Sequence, residues 1–134
     1  MSAALDEVAP GVWRWSGRHP EWHPRTAFGS EVASWVLRTG DDTVVVDPLL
    51  GDGDAALLDP VASGRVLVAV TIPYHVRSAA EVAARYGGEV LGHAAVARRL
   101  PAGTRFRAVS PGDDLPHGMV AFGIGSPPRQ ELPL

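Results

Sequence analysis

The sequence contains no cysteine and no lysine. Without cysteine there is no disulfide framework, no thiolate zinc site and no sulfur nucleophile. All 12 basic residues are arginines; set against 15 acidic ones, they leave a formal charge of −3. That balance excludes a general electrostatic grip on nucleic acid or on an anionic membrane surface. No apolar run is long enough to span a bilayer. The opening residues, MSAALDEVAPG, lack the basic stretch followed by an apolar one that marks a secretory signal. The default expectation is therefore a soluble, cytoplasmic protein. Repeats, low-complexity tracts and linkers long enough to separate a pair of domains are also missing.

What is present fits one globular domain over residues 1–134. Hydrophobic residues make up 46% of the chain and charged residues 20%, enough for a core. Fifteen glycines and 12 prolines, about a fifth of the chain, argue against a helical bundle. Val12 to Trp15 reads as a strand, and Ser16 to Ser30, with two His and two Pro, reads as a loop. Glu31 to Leu37 alternates with bulk on both faces, as in a strand covered on both sides. The Gly40-Asp41 turn and the β-branched run Thr43 to Val46 then predict an antiparallel hairpin. Asp52 or Asp54 is placed to cap a short helix over 55–58, and Pro60 prevents a longer one.

Arg65 to Thr71, RVLVAVT, is almost unbroken in its hydrophobicity and reads as a buried central strand. Ser78 and Glu81 have capping-box spacing, which predicts a helix over Ala79 to Tyr86 closed by Gly87-Gly88. A strand at Glu89 to Leu91, a short helix at Ala94 to Leu100 stopped by Pro101, and a strand at Arg105 to Val109 follow. His93 reads as a helix-start residue. SPGDDLPHG, containing His117, is a turn in which Gly112 takes a conformation other residues avoid. Met119 to Ile124 is the last expected strand. The fold class is α+β or α/β: a mixed sheet of about six to eight strands with two or three short helices.

In order and spacing these segments resemble the metallo-β-lactamase fold superfamily. EVAPGVWRW resembles its opening strand. SWVLRTGDDTVVVDP resembles its early hairpin, which ends in an Asp. VLVAVTIPYHVRSAAEVAARYGGEVLGH resembles the segment with the main metal motif and the helix after it. VSPGDDLPHGMVAFGIGSPP resembles the later stretch leading to another metal-binding His. The resemblance covers nearly all of the chain but only the front portion of that sandwich fold.

The family writes its motif as His-x-His-x-Asp-His after a strand ending in Thr. Here Ile72, Tyr74, Val76 and Arg77 occupy those four positions, and His75 stands at a spacer. The later His falls on Gly125, and the Asp ending the early strand is matched by Asp47. A catalytic zinc needs about three lone-pair ligands and an open position for water. Ile72 and Val76 supply no donor atom, and Arg77 puts a fixed positive charge where the cation would sit. The implied state is metal-free, with no cofactor and no zinc-bound hydroxide.

Two readings of Arg77 stand. It pairs with the Asp47 carboxylate and fills the former metal cavity, or it forms an anion site with His75 and the start of the helix. The ion pair is preferred. His19 and His23 are four apart, a metal-like spacing only on a helix, which two prolines disfavour. They are read as a surface loop over Trp22, with a pocket rim as the alternative. Trp13, Trp15, Trp22 and Trp35 read as packing rather than as a ligand patch. Ser30, Ser34 and Ser126 lack a nucleophile-elbow context, and Asp113 and Asp114 have no carboxylate partner at a useful spacing.

The functional expectation is a non-catalytic domain that binds a small anionic ligand or a protein partner. Its ligand-facing candidates are Tyr74, His75, Arg77, Asp47, His19 and His23. The alternative is a hydrolase with an altered site acting on an ester or thioester. Half of a two-sheet sandwich would also leave an apolar face bare, which predicts a homo-oligomer or a missing C-terminal segment to cover it.

Overall fold

The structure, a computed structural model, describes residues 3–18, 24–25, 31–51, 53–110 and 112–113. His19, Trp22, His23, Asp52, Asp114, His117, Gly125, Ser126 and the expected strand at 119–124 lie outside the described residues, and Tyr74 is described by its backbone alone.

Among the described residues, seven strands form one mixed sheet whose spatial order is the chain order. They are β1 (Asp6–Ala9), β2 (Val12–Arg18), β3 (Glu31–Thr39), β4 (Asp42–Val46), β5 (Val66–Ala69), β6 (Glu89–Gly92) and β7 (Phe106–Ala108). The first four form an antiparallel meander, and β4 to β7 run parallel. The expected hairpin is β3–β4, with Thr39 opposite Asp42 across the Gly40-Asp41 turn. The opening segment differs from the expectation. It splits at Pro10-Gly11 into two strands, and the second continues to Arg18 rather than ending at Trp15. β1 is fully exposed along its length and is the outermost strand on its side among the described residues, where acidic Asp6 and Glu7 suit a sheet margin.

The parallel half is built as its hydrophobicity requires. All four residues of β5 are buried, between β4 and β6. Val66 and Val68 face a core with Trp15, Val36, Val45, Leu58, Val82, Val90 and Val96. Leu67 and Ala69 face the other way, with Val44, Leu91 and Val109. On this second face Val44, Leu67, Ala69 and Leu91 are buried along β4 to β6. It opens toward the meander, where Trp35 is 37% exposed with the Arg14 guanidinium 5.9 Å from its ring centroid. This corrects the expectation that β3 is covered on both sides: Val36 is buried, whereas its neighbour Trp35 is not.

Helix α1 (Ala79–Tyr86) packs Val82 and Ala83 onto the sheet and ends at Gly87, which is left-handed with φ 64°. The next residue must also be glycine, because a Cβ at Gly88 would collide with the Val66 carbonyl. The capping box does not form. Ser78 has φ −98° and ψ 20°, and its hydroxyl accepts a hydrogen bond from Leu50 N at 2.8 Å instead of closing the helix. The helix expected at 55–58 is a set of single turns. Asp54 accepts from Gly51 N and Ala3 N, both at 3.0 Å, and so pins the loop to the N-terminal segment rather than starting a helix. Ala94–Arg99 is a 3-10 helix capped by His93 Nδ1, which accepts from Ala95 N at 3.0 Å.

Loop 53–63 is clasped to α1 from outside. Arg85 grips Asp59 with two bonds of 3.0 and 2.7 Å, and the Tyr86 hydroxyl donates to the same carboxylate at 2.6 Å. These bonds, Arg85's first, hold the Asp59 carboxyl at about 2 and raise Arg85 above its ordinary value. Burial, then the bond to Asp59, pushes the Tyr86 phenol up to about 12.

Candidate functional site

Parallel pairing brings the carboxyl ends of β4 and β5 side by side, so the residues just beyond them meet although 24 positions separate them in sequence. Beyond β4 the backbone reverses at Asp47, which has φ 47°. A left-handed turn of this kind ordinarily takes glycine, and aspartate is among the few other residues that tolerate it. Beyond β5 come Thr71, Ile72, a 3-10 turn at Pro73–His75, and then Arg77, which also has a positive φ of 44°. Two strained non-glycine residues therefore flank one edge.

Every polar atom of Asp47 is bonded. Its N–H donates to the Ala69 carbonyl at 2.9 Å, continuing the parallel ladder. Its carbonyl accepts from the Ser34 hydroxyl at 2.9 Å and from Arg77 Nη1 at 2.7 Å. One carboxylate oxygen accepts from Thr71 N at 2.8 Å. The other accepts the Thr71 hydroxyl and lies 2.9 Å from His75 Nδ1. Arg77 Nη1 reaches a second strand end as well, the Ala33 carbonyl on β3 at 3.1 Å. Burial pushes the Arg77 guanidinium below its ordinary pKa, and the nearby Asp47 charge opposes that effect.

Asp47, His75 and Arg77 are thus brought together as the sequence predicted, but with different partners. The expected ion pair between Arg77 and the Asp47 carboxylate does not form. The left-handed turn at Asp47 presents its carbonyl to Arg77 and its carboxylate to the 71–75 segment, where Thr71 and His75 take it. Ser34 and Thr71 were missed as site residues. Ser34 is almost wholly buried and bridges the Asp47 carbonyl to Leu49 N, which donates to its hydroxyl at 3.0 Å. The signal for Ser34 was a lone hydroxyl on an apolar strand face. The signal for Thr71 was the polar end of RVLVAVT.

The residues at this edge do not suit a zinc ion. Asp47 and His75 are two donors, already bonded to each other, and a guanidinium stands beside them. Among the described residues no group of three or more His, Cys, Asp or Glu is arranged to hold a metal.

Solved structures share this architecture. A metallo-β-lactamase from Hirschia baltica aligns over 86% of this chain and 57% of its own, with a TM-score of 0.55 and 17% identity. A B3 metallo-β-lactamase with an active-site glutamic acid aligns over 67% of this chain and 45% of its own, with a TM-score of 0.53 and 20% identity. The fold is that of the metallo-β-lactamases. Within it, this chain spans about half the length of the solved proteins it matches. No family model and no curated protein matches the sequence. Among the described residues, no helix is long and apolar enough to cross a membrane.

Proposed function

We propose that this domain uses the metallo-β-lactamase scaffold as a metal-independent binding domain and receives a small anionic ligand at the carboxyl edge of its parallel strands. One observation carries the reading. Arg77, which the resemblance matches to the motif's last His, has its guanidinium tied to the Asp47 and Ala33 carbonyls. A fixed cation there repels a metal ion and attracts an anion. Both bonds use Nη1, so among the described residues the donors on Nε and Nη2 are left for an incoming carboxylate or phosphate. The carboxyl ends of parallel strands are also where open α/β sheets usually receive ligands.

Metal analysis combined with thermal melting tests this. Protein purified without chelator is expected to hold no stoichiometric zinc, iron or manganese, and inorganic phosphate should raise its melting temperature. One ion per chain, lost on His75→Ala, overturns the reading; so does a melting temperature indifferent to phosphate and raised by zinc.

A further inference from the structure

We infer that His75 is a metal-independent general base, held by Asp47 so that its Nε2 can take a proton from water during hydrolysis of an activated carboxylic ester. The inference goes beyond ligand binding and is decided by different measurements.

The geometry fixes the chemistry of the imidazole. The Asp47 carboxylate can only accept, so the 2.9 Å contact to Nδ1 places a hydrogen on that nitrogen. In the neutral ring, Nε2 then carries the lone pair. Among the described residues nothing bonds to Nε2, and the side chain as a whole is 35% exposed. The carboxylate itself cannot drift away. Thr71 N, the Thr71 hydroxyl and the ring share its two oxygens, and the backbone on either side is locked by Ala69, Ser34 and Arg77. A base aimed by a carboxylate that is itself immobilised is the arrangement that orients an imidazole for proton transfer. Asp47 is a positioning residue, and His75 is the group that meets the reacting water.

The reaction balances with water as the only co-reactant. Nε2 removes a proton as the water oxygen bonds to the acyl carbon. The tetrahedral intermediate collapses by breaking the bond to the leaving oxygen, which carries away the proton returned from Nε2–H. Arg77 supplies positive charge at the same edge as negative charge builds on the acyl oxygen. Without a metal to acidify water, a base of imidazole strength suits esters with good leaving groups.

The test is hydrolysis of p-nitrophenyl acetate by the full chain in excess chelator, beside a nitrogen-edited NMR spectrum of the wild-type imidazoles. The expected results are a chelator-resistant rate that falls at least ~10-fold in His75→Ala, an unchanged rate in His93→Ala, and a His75 resonance protonated on Nδ1. Asp47→Asn should lower the rate and change the tautomer balance in the spectrum. A rate abolished by chelator overturns the inference, as does equal hydrolysis by wild type and His75→Ala. The spectrum needs no variant to fold: a neutral His75 protonated on Nε2 refutes the proposal by itself.

Discussion

Two regions of the molecule use the same kinds of side chain to opposite ends. In the outer clasp, Arg85 meets the Asp59 carboxylate edge-on through two parallel bonds, with Tyr86 beside it, in solvent. At the strand ends, Arg77 ignores the Asp47 carboxylate and binds its carbonyl, leaving the acid to Thr71 and His75. Residue types do not account for this difference. Backbone does: Asp59 sits in an ordinary turn, whereas Asp47 takes a left-handed conformation that points its two kinds of oxygen in different directions. An aspartate and an arginine in proximity therefore do not by themselves make an ion pair.

Substitutions that break each region sharpen the contrast. The largest effect is expected at Asp47. Asp47→Ala leaves the Thr71 amide and hydroxyl without their acceptor and puts a Cβ-bearing residue without a compensating bond at positive φ. A loss of about 3 kcal/mol is expected in urea unfolding. Asp47→Gly should recover about 1 kcal/mol of that by relieving the backbone. Next is Arg77→Ala, which takes a charged donor from the Ala33 carbonyl and leaves the Asp47 carbonyl with the Ser34 hydroxyl as its remaining side-chain donor, with an expected loss of about 2 kcal/mol by the same measurement. Arg85→Ala, on the exposed clasp, should barely move the unfolding midpoint. If Arg85→Ala proves the costlier of the two, the contrast fails.

The smallest effect is one of pH. Because the folded Asp59 carboxyl is held at about 2, below its ordinary 3.8, its contribution is fully present above about pH 4. It is lost as pH falls through 3.8 toward 2. Melting temperatures followed across that window should decline slightly less steeply in Asp59→Asn than in the wild type. Identical slopes would remove the clasp as a source of acid sensitivity.

The parallel core was legible because both-face burial writes itself into a sequence as RVLVAVT, and because Gly40-Asp41 and Gly87-Gly88 mark turns that few other residues permit. β1 was not legible. Asp6 and Glu7 belong to an exposed edge and carry no alternation to read. Ser78 looked like a cap because spacing is local, yet its real partner, Leu50 N, lies 28 residues away. The site shows the same limit. Asp47, His75 and Arg77 were all named from the sequence. Which oxygen meets which nitrogen depends on the β4–β5 pairing and on one positive φ angle, and neither has a signature in composition or spacing.

Among the described residues, strand order in space is strand order along the chain, from β1 to β7. Among the described strands each thus has its docking neighbour before it in the chain, and no slot between them waits for a later arrival. The meander can settle first through short loops, and each crossover then adds one strand to a growing margin. Assembly that followed the direction of synthesis would join Asp47 to His75 only after the segment beyond β5 had emerged.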